Sequence, residues 1–213
     1  MTEVTGLRER KRQRTREAIV DAALRLFDER GFDQTTIADI AAEADIAPRT
    51  FFGYFPSKED VVFDEFGDTF ATLKARLLDR EEGETAIDAM RAWLASFLES
   101  HEHLADERSR CRRRVIGGTP ALQVHERGLM GRFEEVLGEA VAIDLGEEPG
   151  SLRPRMVAAA AVAALTSLDS GQEDGSAKGL KAHADPMATI DEALAFVQAG
   201  VAGLQARPRP GHS

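Results

Sequence analysis

The stretch TTIADIAAEADIAPRTFFGYFPSKED, residues 35–60, decides the fold. Thr35 or Thr36 supplies a hydroxyl that can cap a helix, with Asp39 in the first turn. Ile37, Ile40, Ala41 and Ala44 then follow the spacing of one buried helical stripe, which ends near Ala44. Asp45 and Ile46 make a tight turn. Pro48 suits the first turn of a further short helix, which runs through Arg49, Thr50, Phe51, Phe52 and Tyr54 until Pro56 closes it. Ser57, with Asp60 three residues on, reads as the capping pair of the next helix. Two short helices joined by a three- to four-residue turn are the helix-turn-helix layout, which generic three-helix bundles share.

Working outward, Ile19, Ala22, Ala23, Leu26 and Phe27 form one apolar stripe, and Gly31 supplies a C-terminal stop, so a first helix is expected over roughly 13–30. On the other side, Phe63, Phe66, Phe70, Leu73 and Leu77 predict one long fourth helix. A fifth, from Thr85 to Ser100, places Ile87, Met90, Leu94, Phe97, Leu98 and His101 on a stripe with Trp93 to one side. The Gly117-Gly118-Thr119-Pro120 breaker precedes a helix to about Leu145 that buries Leu129, Phe133, Val136, Leu137 and Ala140. Pro154 to Leu168 is apolar nearly all round, which predicts burial on more than one face, with Ala161 on the face that pairs with a second copy of the chain. Ser170 to Gly179 reads as a Gly-rich acidic loop. Asp185-Pro186 caps a last helix carrying Ile190, Ala193, Leu194, Val197, Val201 and Leu204, and Arg207 to Ser213 is a Pro-rich tail. No period-2 alternation appears, so the fold class is all-α. Three domain boundaries follow: 1–60 for a basic arm and helix-turn-helix, 61–206 for a larger helical domain, and 207–213 for a disordered tail.

The charge is lopsided. The 213 residues carry a net charge of −10, which by itself opposes a polyanionic partner. Residues 8–16, however, hold six basic side chains (Arg8, Arg10, Lys11, Arg12, Arg14 and Arg16) against Glu9 alone. Residues 61–213 hold 17 Lys and Arg against 25 Asp and Glu, a balance of −8. Positive charge therefore sits beside the helix-turn-helix, where a nucleic-acid partner needs it. No apolar signal segment or spanning run is present, and a single cysteine, Cys111, excludes an internal disulfide, so a cytoplasmic protein with no membrane association is expected.

Residues 14–62 closely resemble the N-terminal signature of the tetracycline-repressor (TetR) family of bacterial transcription regulators, on the strings 35–41 and 49–60 quoted above. Arg114-Val115-Ile116 with Thr119-Pro120-Ala121-Leu122 looks like an actinobacterial-type branch. The resemblance implies a homodimeric, ligand-responsive regulator, most often a repressor, that binds a palindromic operator in double-stranded DNA and pairs through its two C-terminal helices. By position it implies Thr36, Tyr54 and Lys58 on the DNA backbone and Arg49 and Thr50 on base edges; Arg14 joins them from the basic run. The chain departs from the family pattern in having Asp45 where glycine is usual, and Ala47 and Phe52 where hydroxyls usually bind phosphate. The resemblance also implies a cavity in the second domain, lined by Met90, Trp93, Phe97, Met130 and Phe133 with His101 and His125 as polar anchors. It would take a small apolar or amphipathic molecule, or a carboxylate or acyl thioester should an arginine among Arg110, Arg112, Arg113 and Arg114 reach inward. A DNA-binding architectural protein without an inducer is the alternative.

Catalysis is not expected. The chain has no Gly-x-Ser-x-Gly elbow, no phosphate-cradling glycine loop and no His-Glu-x-x-His. His101 and His103 stand two apart on a helix and do not face each other, so no metal and no cofactor are implied. Cys111, among arginines, reads as a core or surface cysteine, with a redox sensor as the rarer reading. For the arginines themselves, pairing with the surplus acids is the simple expectation.

Overall fold

A computed structural model describes the backbone of residues 2–100, 107–169 and 185–205. His101, His103, the Ser170 to Gly179 loop and the Arg207 to Ser213 tail lie outside the described residues. Among those described there are ten helices and no strand: α1 (Thr2–Arg30), α2 (Ile37–Glu43), α3 (Pro48–Phe51), α4 (Lys58–Val62), α5 (Phe66–Leu78), α6 (Ala86–Ser100), α7 (Glu107–Gly117), α8 (Pro120–Leu145), α9 (Leu152–Asp169) and α10 (Pro186–Gln205). They gather into two compact units, residues 1–67 with 106–126, and residues 68–105 with 127–213.

The local signals in the first unit are realised as chemistry. Gly31 adopts φ 86° and donates its N–H to Phe27 O at 2.9 Å, ending α1 in the left-handed conformation that costs glycine least. Thr36 caps α2 in a full capping box with Asp39, and Asp45 turns the chain at φ 53°. Ser57 caps α4 by accepting the Asp60 N–H. Ile19, Val20, Ala23 and Phe27 of α1 meet Ile40, Phe51 and Phe55 in one core, with Val61 and Val62 of α4 and Cys111, Val115 and Ile116 of α7 completing it.

Three expectations change. The first helix begins at Thr2, not near 13. Among the added residues, Arg8, Glu9, Arg10, Lys11 and Arg12 are good helix formers that carry no apolar stripe. Gln13 donates to Glu17 at 2.9 Å along the same face. α3 ends at Phe51, because Gly53 and Tyr54 donate to Thr50 O and Phe51 O in tight i−3 bonds that swing Phe55 back into the core. The long fourth helix is broken: Phe63 takes φ −106°, ψ 33°, and residues 63–65 form a turn between α4 and α5. Only Leu73 and Leu77 of the proposed stripe are fully buried. The arginine-rich stretch is itself a helix, α7, lying against α1.

In the second unit, α6 is capped by Thr85 with Asp88, and α10 by Asp185, whose carboxylate accepts the Ala188 N–H at 2.9 Å. Asp144, near the end of α8, accepts from the Ala86 N–H at 2.6 Å and from Arg80 at 3.0 Å. α10 packs on α9 and α6, burying Ile190, Leu194 and Val197. On α8, Phe133, Leu137 and Ala140 are buried, while Leu129 and Val136 are half-buried. α9 buries Val157, Ala158, Ala161 and Val162, yet Met156, Ala160 and Ala163 are exposed. Ala161 thus belongs to the protomer's own core rather than to an outer face.

Candidate nucleic-acid interface

α3 is only four residues long, and its position comes from the core below it. Phe51 is fully buried and Phe55 nearly so, with ring centroids 5.9 Å apart. That anchoring turns Arg49 and Thr50 outward. Both are exposed, and among the described residues neither side chain is engaged within the protein. A free guanidinium beside a free hydroxyl, on a helix held rigidly by aromatic rings, is what base-edge readout requires. Phe52 beside them is exposed and Ala47 provides no side-chain cap, so neither supplies a hydroxyl.

The other expected contacts are distributed differently. The Thr36 hydroxyl accepts the Asp39 N–H at 3.1 Å and gives its own proton to the Asp39 carboxylate, and the Thr36 N–H goes to the same carboxylate at 2.9 Å. Thr36 is therefore committed to capping α2. Lys58 donates to Phe32 O at 2.8 Å and Thr35 O at 3.3 Å while lying 4.2 Å from the Phe32 ring centroid. Two of its three N–H groups hold the α1–α2 loop and one is left for a phosphate. Tyr54 is half-buried under the Arg12 guanidinium, 5.7 Å from its ring centroid. Arg14 is exposed on α1.

Arg12 and Arg16 are the residues that sequence reasoning did not single out. Arg16 lies 4.5 Å over the Phe55 ring and donates to Asp64 O at 2.9 Å. Their i, i+4 spacing, shared with Arg8, was the available signal.

The arginines of α7 are engaged by acids. Arg112 meets Asp64 at 2.6 Å and Glu65 at 3.3 Å; Arg114 meets Asp28 at 2.8 Å and Glu107 at 3.3 Å; Arg110 meets Glu107. The Arg114 guanidinium holds the Asp28 carboxyl below the usual range. At Asp64 the balance is reversed: burial pushes its pKa up and outweighs the Arg112, Arg108 and Arg16 guanidiniums. Cys111 is buried, its Sγ donating to Leu24 O at 3.4 Å, and burial first, then the Asp28 carboxylate, push the thiol up. A reactive thiolate is disfavoured there.

Of the expected effector-site residues, Met90 and Phe133 are buried and Trp93, Phe97 and Met130 half-buried. Trp93 stacks on Phe97 at 5.2 Å and donates its indole N–H to the Thr72 hydroxyl at 3.1 Å, while Phe133 meets Phe70 edge-on at 5.6 Å. His125 is in the first unit, stacked on Phe63 at 5.0 Å. Among the described residues no cluster of three metal-ligating side chains forms, and no helix is long and apolar enough to cross a membrane.

Residues 19–64 match the family of bacterial regulatory proteins named for TetR, and residues 84–202 match the MftR C-terminal domain. The Mycobacterium tuberculosis protein MftR, named for regulating transcription of mycofactocin biosynthesis, is 35% identical over 150 residues, 70% of this chain and 75% of that protein. The transcriptional regulator TcmR of Streptomyces glaucescens is 31% identical over 163 residues, 72% of this chain and 71% of its own. Among solved structures, the complex of SmeT with triclosan superposes with a TM-score of 0.58 at 25% identity, covering 92% of this chain and 99% of that one. A TetR-family regulator from Syntrophomonas wolfei shares the fold with a TM-score of 0.62 at 22% identity, over 92% of this chain and all of its own. These relatives are regulators rather than enzymes. With a TetR-type helix-turn-helix at one end and an MftR-type domain spanning more than half of its length, the chain belongs to the TetR family of DNA-binding transcriptional regulators.

Proposed function

We propose that the protein is a ligand-responsive repressor that binds a palindromic operator as a homodimer and releases it when a small apolar or amphipathic molecule occupies the second unit. The observation that carries the DNA reading is the presentation of Arg49 and Thr50, free and outward, on a helix anchored by Phe51 and Phe55. Tyr54 and the remaining N–H of Lys58 supply backbone contacts that fix register without reading sequence. The effector reading is supported by the aromatic and sulfur side chains Met90, Trp93, Phe97, Met130 and Phe133 within one unit. It is supported also by the relative SmeT, which is solved with triclosan bound.

The test uses a fluorescein-labelled duplex selected by the wild-type protein from a random-sequence pool. Arg49→Ala should lose about 1 to 3 kcal/mol of discrimination against single-base changes, the usual worth of a bidentate arginine–guanine pair. Fluorescence anisotropy reads it directly, and unchanged discrimination would show that α3 is not the reading helix. A screen of small apolar compounds by thermal shift, then by operator release, tests the effector. A compound that lowers operator affinity 100-fold must couple the two sites by about 2.7 kcal/mol. Trp93→Ala should weaken that release, and a screen in which no stabilising compound releases the duplex would favour an architectural role.

A further inference from the structure

We infer that the N-terminal turns of α1 form a second DNA contact, in which Arg8 and Arg12 grip backbone phosphates flanking the half-site read by α3. The inference rests on the proposed DNA binding and extends it to residues outside the helix-turn-helix. α1 continues without a break from its core-anchored turns to Thr2, so its basic segment is a rigid projection rather than a loose arm. Extending an anchored helix costs no new nucleation. Arg16 sits over Phe55 and is tied to Asp64 O, and one turn earlier Arg12 sits over Tyr54. Those two stackings define the face of α1 that looks towards the end of α3. At 100° per residue Arg8 falls on the same ridge, about 40° from Arg12 and about 6 Å further along the axis. A line therefore runs from the exposed Arg49 and Thr50 past the half-buried Tyr54 to the exposed Arg12 and Arg8.

Helical geometry divides the basic run in two. Lys11 flanks the ridge, and Glu9 stands on the other side of Arg12. Arg10 and Arg14 lie roughly 160° away from Arg12, on the face turned from α3. Sequence reasoning selected Arg14; the geometry points to Arg8 and Arg12. The occupant fits by charge: in a chain of net −10, residues 8–16 hold six cations and one acid, and Arg8 and Arg12 are exposed. Duplex phosphate is the polyanion that already adjoins this end of the unit when α3 is seated in a groove.

The experiment measures the salt dependence of binding of the full chain to the selected duplex, carried with at least about ten base pairs, one helical turn, of flank on each side. Removing one phosphate-binding cation lowers the slope of log K against log salt by about 0.9. Arg8→Gln and Arg12→Gln should each lower it by about that amount while leaving base discrimination intact. Arg10→Gln, the same charge change on the opposite face, should leave the slope unaltered. Trimming the flanks should abolish the difference between wild type and Arg8→Gln. Equal reductions from Arg8→Gln and Arg10→Gln would mean diffuse attraction and overturn the ridge, as would a reduction from Arg14→Gln with none from Arg8→Gln or Arg12→Gln. Arg49→Ala run alongside separates the two proposals. If it loses discrimination while the α1 variants do nothing, only this inference fails; if it too is silent, the reading helix fails first. Circular dichroism of the Arg8→Gln and Arg12→Gln variants should retain the wild-type helical signal, since both side chains are exposed.

Discussion

At the scale of single residues, two side chains of the DNA-binding unit do structural work that pH and temperature can expose. The Thr36 hydroxyl, and secondly its N–H, hold the Asp39 carboxyl below the ordinary range. A depressed folded-state pKa contributes stability that is present above the ordinary carboxylate value and is lost as pH falls through the folded value. Asp39→Asn should therefore flatten the acid limb of thermal stability below the ordinary carboxylate value of about pH 4, where the wild type should fall more steeply. Superimposable melting curves over that range would exclude the linkage. Lys58 is the second case. Its two bonds to the Phe32 and Thr35 carbonyls tie α4 to the loop before α2. Lys58→Ala should lower the melting temperature as well as weakening binding to every duplex. A phosphate contact alone would leave the melt untouched. The Thr36 cap was legible because Thr36 and Asp39 are three residues apart; the partners of Lys58 lie 23 and 26 residues away, where no local pattern reaches.

Elements whose ends are set by local chemistry were legible in the same way. Gly31, Asp45, Pro48 and Asp185 stop or start helices through their own dihedrals and hydrogen bonds, and all act as expected. The break between α4 and α5 was not legible, because an apolar stripe runs across it and its cause lies elsewhere in the chain. Arg16 takes the main-chain oxygen of Asp64 and Arg112 takes its carboxylate, so the turn at 63–65 is fixed by α1 and α7. α7 itself escaped notice because five arginines obscure a core face made of Ser109, Cys111, Val115 and Ile116. The Asp64–Arg112 pair is largely buried, with side-chain exposures of 9% and 14%. Removing one partner of such a pair strands a charge, at a cost of about 3 kcal/mol. Arg112→Met should thus destabilise strongly at pH 7, and adding Asp64→Asn should recover most of the loss. Because burial already raises the Asp64 pKa, protonation relieves the stranded carboxylate, and stability lost at high pH returns as pH falls towards the folded value. Urea melts at pH 7 and pH 5 should therefore show a smaller deficit for Arg112→Met at the lower pH. An equal deficit at both would mean that Arg108 or Arg16 holds the Asp64 carboxylate charged in place of Arg112.

At the scale of the whole molecule, the exposed apolar faces of α9 and α10 call for an occupant, and the proposed homodimer supplies one in a second copy of the chain. On α9, Leu152, Met156, Ala160 and Ala163 share one exposed stripe opposite the buried Val157, Ala158 and Ala161. On α10, Phe196, 76% exposed, continues through Gly200 and Gly203 at helical spacing. The small Ala and Gly residues between the large apolar side chains let helix backbones approach closely, and exposed apolar stripes of this kind mark interaction surfaces. The apolar run from Pro154 to Leu168 announced the face that is buried within the protomer, but which face looks outward depends on how α9 meets α10, and Ala161, expected against a second copy, lies on the inner one. Substituting the outer stripe and substituting the inner one should have different consequences. Phe196→Glu should convert a dimer of twice 23.2 kDa into a folded monomer. An anchor residue of this type costs upwards of about 2 kcal/mol in association. The monomer should also bind the selected duplex far more weakly, since each copy then holds one half-site and gains nothing from its partner. Ala161→Glu should instead lower the melting temperature sharply, because it places an unpaired charge inside the protomer's own core. Light scattering at micromolar concentration separates these outcomes, and a wild-type protein of single-chain mass, with Phe196→Glu binding DNA as well as it does, would remove α9 and α10 as the dimer interface.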